Sequence, residues 1–195
     1  MMDRRELLYR ASMILGGALS AGAVSGILAG CTATTTSAEN KETFLTADEM
    51  RTVTAMADQI IPKTDTPGAV DVGVPAFIDK MLAGFYQERE RTAFRAGLQA
   101  AATDGAELRG KPFADLTSED QVMLMQQYDQ QQYDYVRNNA GQDAPPHFFR
   151  LMKELTIVGF CTSEAGATKL MNYNQTPGPY RGDLPLSEVG KVSAL

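Results

Sequence analysis

From residue 44 onward, stretches in which apolar side chains recur every three or four positions alternate with short runs of proline, glycine and small polar residues. Val53, Met56, Ala57, Ile60 and Ile61 follow the i, i+3, i+4, i+7, i+8 spacing of one helix face. Thr46 and Glu49 stand before them as a capping box, and Pro62 stops the helix because it has no N–H to continue the ladder. A turn-forming stretch from Lys63 to Ala69 leads to Pro75, which suits the first turn of a second helix burying Phe77, Ile78, Met81, Leu82 and Phe85. A third helix is predicted over residues 87–108, with Phe94, Leu98, Ala101 and Ala102 on one side and the charged run from Glu88 to Arg91 as a solvated face.

Thr117, Ser118, Glu119 and Asp120 give a second capping signal, and the helix behind them should reach about Arg137. Its second half, residues 126–135, is rich in glutamine and tyrosine and poor in aliphatics, a surface that is either exposed or turned toward another protein. Pro145 and Pro146 set up a fifth helix with Phe148, Phe149, Met152, Leu155, Thr156, Gly159, Phe160 and Cys161. Ser163 and Glu164 open a short helical turn through Leu170. From Pro177 on, Gly178, Pro179, Gly182 and Pro185 break regular structure, so an extended tail over residues 176–195 is expected. No stretch alternates with period two for long enough to argue a sheet, and no repeat is present. The expected fold is all-α, a compact irregular bundle of five or more helices over residues 44–175 with that tail attached.

The first 30 residues follow a different pattern. Arg4 and Arg5 precede an uncharged 20-residue run, residues 11–30, which carries five glycines and ends in Leu28, Ala29, Gly30 and Cys31. Paired arginines before a mildly apolar run are the form of a twin-arginine export leader, the route that carries folded cargo. Leu-Ala-Gly-Cys resembles a lipobox, in which cleavage leaves Cys31 as a lipid-bearing N-terminus. A retained transmembrane anchor is the alternative, since 20 residues can span the roughly 30 Å hydrocarbon core, but the glycines lower both helicity and hydrophobicity. Cleavage near Ala21, Gly22 and Ala23 without lipid is a further one. Residues 31–43 are small and polar and read as a tether.

Removing the leader takes three arginines and two acidic residues from totals of 18 basic and 24 acidic, leaving 15 and 22 and a net charge of −7. Such a balance argues against nucleic acid as a partner, because a phosphate backbone recruits basic residues. About 165 residues remain, enough for one domain with a sizeable core.

Catalysis finds little raw material. The chain has one histidine, His147, at a helix start where burial or a capping hydrogen bond explains it. It has two cysteines and no Cys-x-x-Cys-His run, so it holds no haem covalently. With Cys31 lipidated, Cys161 has no partner within the chain, in a compartment that oxidises thiols; it is either an inert buried thiol or half of an intersubunit disulfide. A zinc site of nitrogen and sulfur ligands cannot be assembled from these residues. Asp115, Glu119 and Asp120 are explained by the helix dipole at a cap, and the glycines near Tyr180 lack the strand and helix that a phosphate loop needs. Catalytic, cofactor-binding and metal-binding residues are therefore all read as none.

Two separated stretches carry a resemblance. Residues 57–62 (Ala-Asp-Gln-Ile-Ile-Pro), 64–69 (Thr-Asp-Thr-Pro-Gly-Ala) and 73–78 (Gly-Val-Pro-Ala-Phe-Ile) form the first. Residues 156–170, followed by Tyr173, Pro177, Gly178, Pro179, Tyr180, Gly182 and Asp183, form the second. Over about residues 44–186 the sequence resembles the gluconate 2-dehydrogenase subunit 3 family. That resemblance implies a small non-catalytic subunit of a periplasmic sugar or polyol dehydrogenase, whose large subunit carries FAD and whose third subunit is a multihaem c-type cytochrome. The small subunit would escort and stabilise a flavoprotein that lacks its own leader, attached to the membrane by its lipid or through the complex. The tail, with Pro177, Gly178, Tyr180 and Gly182, is expected to wrap that partner. The alternative is a free-standing periplasmic lipoprotein that binds a small ligand or an envelope component.

Overall fold

A computed structural model describes residues 43–195 apart from 177, 180 and 195. The expected leader, with Arg4, Arg5 and Cys31, and most of the expected tether lie outside the described residues, as do Pro177 and Tyr180 of the tail. Five helices carry the fold: α1 Ala47–Ile60, α2 Val74–Gly84, α3 Glu88–Arg109, α4 Ser118–Asn138 and α5 Phe148–Cys161. A single turn, α6 Leu186–Val189, follows near the C-terminus. Two-residue strands β1 Asn172–Tyr173 and β2 Ser193–Ala194 pair in parallel and are the only extended pairing among the described residues, so the fold is all-α.

Local chemistry sets the helix ends. The Thr46 Oγ1 accepts from the Glu49 N–H at 3.3 Å while the Thr46 N–H donates to the Glu49 carboxylate at 2.8 Å, the reciprocal box the sequence predicts. The start of the domain is then pinned by groups distant in sequence. Buried Asp79 of α2 accepts from the Phe44 and Leu45 N–H groups at 2.9 and 2.8 Å, and Arg95 of α3 donates to the Phe44 carbonyl while its guanidinium lies 4.2 Å from the Phe44 ring centroid. A buried carboxylate is tolerated here because backbone donors replace its water.

Helix α5 is the centre of the bundle and touches α1, α2, α3 and α4. Phe148, Phe149, Leu151, Met152, Leu155, Thr156, Gly159 and Phe160 are all buried, which is why so short a helix is apolar around most of its circumference. Against it lie Val53 and Met56 of α1, Ile78 and Leu82 of α2, Phe94 and Leu98 of α3 and Leu124 and Tyr128 of α4.

Three expectations change. Phe85 was expected in the core but is 72% exposed, because α2 ends at Gly84 and the chain turns away at Phe85. Ala102 is exposed as well. Tyr128, within the stretch read as polar surface, is 1% exposed. Its hydroxyl donates to the Asp104 carboxylate at 2.7 Å, which lets the ring be buried edge-on to Phe148 and Phe149. Burial and the neighbouring Asp104 charge push that phenol far above its ordinary range. The cap carboxylates also do more than face a dipole: Arg109 grips Asp120 with two bonds of 2.9 Å, joining the end of α3 to the start of α4, and Asp115 pairs with Arg51 of α1. The guanidinium holds the Asp120 carboxyl below the usual range.

Candidate partner-docking site

The two stretches that carry the family resemblance, about 90 residues apart in sequence, meet as the walls of one polar trench. The first wall is the loop between α1 and α2. It is drawn back on itself by the Ala69 N–H to the Ile61 carbonyl (2.9 Å), the Gly68 N–H to Asp71 (3.0 Å) and the Lys63–Asp71 ion pair (3.3 Å). The Gly68 N–H, helped by Lys63, holds the Asp71 carboxyl below its ordinary range. No side chain fits at Gly68, where a Cβ would lie 2.6 Å from the Lys63 backbone nitrogen.

The second wall is the turn after α5. The Ser163 hydroxyl donates to the Phe160 carbonyl at 2.6 Å and accepts from the Gly166 N–H at 3.0 Å, starting a wide helical turn over Gly166–Leu170. A Cβ at Gly166 would sit 2.0 Å from the Phe160 carbonyl oxygen, so this turn too depends on glycine. Its far end is strapped by the C-terminal residues. The Asn172 N–H donates to the Val192 carbonyl at 2.8 Å and the Lys191 ammonium to the Lys169 carbonyl at 2.6 Å. The tail therefore bends back on its own domain and forms one helical turn past Pro185, where the last breaker lies; Gly178 and Gly182 are exposed along the way.

Between the walls are two joined cavities of about 540 Å³ and 280 Å³ that share Asp71, Val72, Ala165 and Lys169. The remaining lining is mainly hydroxyl and charge: Thr64, Thr66, Ser163, Thr168, Lys63, Asp65 and Glu164. Such a surface can hydrogen-bond and pair charges along a bound segment. Sequence reasoning did not single out Asp71 or Lys169; the signals were the breaker density of the first stretch and the Ser163–Glu164 start of the second.

Beside this trench the outer side of α5 exposes Ile157 and Val158, 50% and 48% accessible, with Cys161 half-buried between them and the turn. The Cys161 thiol is unpaired within the described residues, and the residue is partly buried against the core. Leu170 is also exposed at 46%.

His147 lies elsewhere, as the N-cap of α5. Its Nδ1 accepts from the Phe149 N–H at 3.3 Å and its ring packs on Tyr135 and Phe148. Burial lowers its pKa, so the folded state favours the neutral ring that the cap requires. The unfolded chain takes a proton near the ordinary value of 6.5, before the folded protein does, and stability should fall as pH drops through 6.5 toward the lowered folded value. A thermal-midpoint series from pH 7.5 to 5.5 will show this decline and His147→Asn, which keeps a cap acceptor, will flatten it; an unchanged slope in the variant would assign the decline to other groups.

Among the described residues no group of three or more His, Cys, Asp or Glu side chains is placed to hold a metal ion, and no helix is long and apolar enough to cross a membrane. No curated protein and no solved structure matches the chain. A family model described as gluconate 2-dehydrogenase subunit 3 matches residues 47–178, a span that contains all five helices and both walls of the trench. By that match over about two thirds of its length, the chain belongs to the gluconate 2-dehydrogenase subunit 3 family.

Proposed function

We propose that this protein is the non-catalytic small subunit of a periplasmic FAD-dependent gluconate or sugar dehydrogenase. It binds the flavoprotein in the cytoplasm, escorts it through twin-arginine export and stabilises it afterwards, with a multihaem c-type cytochrome as third subunit. The observation that carries this reading is the family match across the helical domain, behind which stands the family's association with other dehydrogenase subunits. The arginine pair and Cys31 in the sequence support export and lipid attachment. The exposed apolar side of α5 beside a polar trench supports a docking role, since protein interfaces combine an apolar centre with a polar rim. Cys161, free within the described residues and near that patch in the same helix, is the half of a disulfide to the partner.

Co-production of the full chain with its flavoprotein tests the reading. The purified small subunit should carry a yellow partner with FAD absorbance, and Arg4→Lys with Arg5→Lys should leave the flavoprotein active but confined to the cytoplasm. Electrophoresis of the complex without reductant should show a heavier band that Cys161→Ser removes. A flavoprotein that reaches the periplasm equally well with the lysine pair would end the escort role.

A further inference from the structure

We infer that the trench between the loop of residues 63–72 and the turn of residues 163–169 is the seat for an extended polypeptide segment of the flavoprotein partner. This rests on the reading above and locates the grip within it.

Three features favour a peptide over a metabolite. The trench is open along its length, and no aromatic side chain lines it, whereas small-molecule sites are enclosed and largely apolar. Both walls are fixed before binding, by the Gly68–Asp71 and Ser163–Gly166 hydrogen bonds and by glycines that admit no side chain, so little order has to be imposed on this side. The lining carries the carboxylates of Asp65 and Glu164 and the ammonium of Lys169, which can serve a partner's backbone N–H and C=O groups, while the hydroxyls of Thr64, Thr66, Ser163 and Thr168 are engaged within the walls.

Charge narrows the occupant further. Lys63 and Asp71 neutralise each other across 3.3 Å. Asp65, Glu164 and Lys169 make no ion pair with another described residue, which leaves the trench with a net charge of −1. The fitting segment carries at least one Arg or Lys toward Asp65 and Glu164 and a hydrogen-bond acceptor or carboxylate toward Lys169. Ala165 lines both cavities, so bulk placed there obstructs the trench.

The test uses the full chain co-produced with its flavoprotein, reading flavin absorbance retained per small subunit after washing, with helicity by circular dichroism as the folding check. Ala165→Arg, which obstructs the trench, and Lys169→Glu, which replaces the ammonium facing the segment's acceptor or carboxylate by a repelling charge, should each lower flavin retention by about tenfold at unchanged helicity. Glu107→Lys, on the exposed side of α3, should retain as much as the unaltered chain. Equal retention by both trench variants would remove the trench as the docking seat while leaving the subunit assignment standing. No flavin on the unaltered chain would remove that assignment and this inference together. Saturable calorimetric binding of gluconate alone, abolished by Ala165→Arg, would overturn the inference in favour of a metabolite site.

Discussion

Replacing Phe113 by alanine will lower the stability of the domain by about 3–5 kcal/mol, the range for emptying a fully enclosed aromatic site. Phe113 is completely buried although it lies on a three-residue helical turn, Phe113–Asp115, between two long helices. That turn packs on both α1 and α3, so its ring stands where two helices would otherwise lean on empty space. Collapse into the gap is obstructed by the polar anchoring of the turn. The Gln121 side-chain amide donates to the Phe113 carbonyl at 3.1 Å and Asp115 pairs with Arg51 of α1. Domains of this size are stable by only about 5–15 kcal/mol, so the loss is a large part of the whole. Urea denaturation followed by helicity will measure it; a loss under about 1 kcal/mol would mean that the turn relaxes to fill the space.

Gly97→Ala will be destabilising by about 1–3 kcal/mol, the reverse of the gain of about 1 kcal/mol that alanine ordinarily brings to a helix interior. At Gly97 helix α3 crosses α5, and an added Cβ would fall 1.9 Å from Cγ of Phe148. The ring cannot step aside cheaply, since it sits edge-on to Tyr128 with centroids 5.3 Å apart, touches Phe149 and His147, and is 6% exposed. The measurement is again a denaturation midpoint, with a double variant to isolate the cause. Gly97→Ala combined with Phe148→Ala should cost less than the two changes added together, because removing Cγ and Cδ1 takes away the two closest contacts. Strict additivity, or a gain from alanine alone, would contradict the close packing of the two helices.

The five long helices were legible because each has an apolar stripe and a chemical stop. Thr46 with Glu49, Pro62, Pro75, Thr117 and the prolines before α5 act within a few residues of themselves, so their effect does not wait on the rest of the chain. Phe85 was misplaced because helix periodicity extends a stripe past the point where the helix ends. Tyr128 was misplaced because burial of a phenol depends on an acceptor, and Asp104 is 24 residues away. Phe113 was missed because a single aromatic residue just after Gly110 and Pro112, in the link between two helices, has no period to betray it.

The candidate site divides the same way. Glycine, proline and serine marked each wall as a tight local structure, and the resemblance rested on both. That the loop of residues 63–72 and the turn of residues 163–169 face each other follows from α5 crossing the bundle and delivering its last turn beside the exit of α1, which no local signal encodes. The partial burial of Cys161 is likewise a matter of packing, since the apolar residues around it in sequence are divided between the core and the surface. Sequence alone determined the five helices, their capped starts and the family, because capping, periodicity and backbone restriction are short-range. Only the tertiary structure decided which polar residues share a trench and which aromatic rings fill the core, because those depend on contacts whose partners are set by how the helices cross.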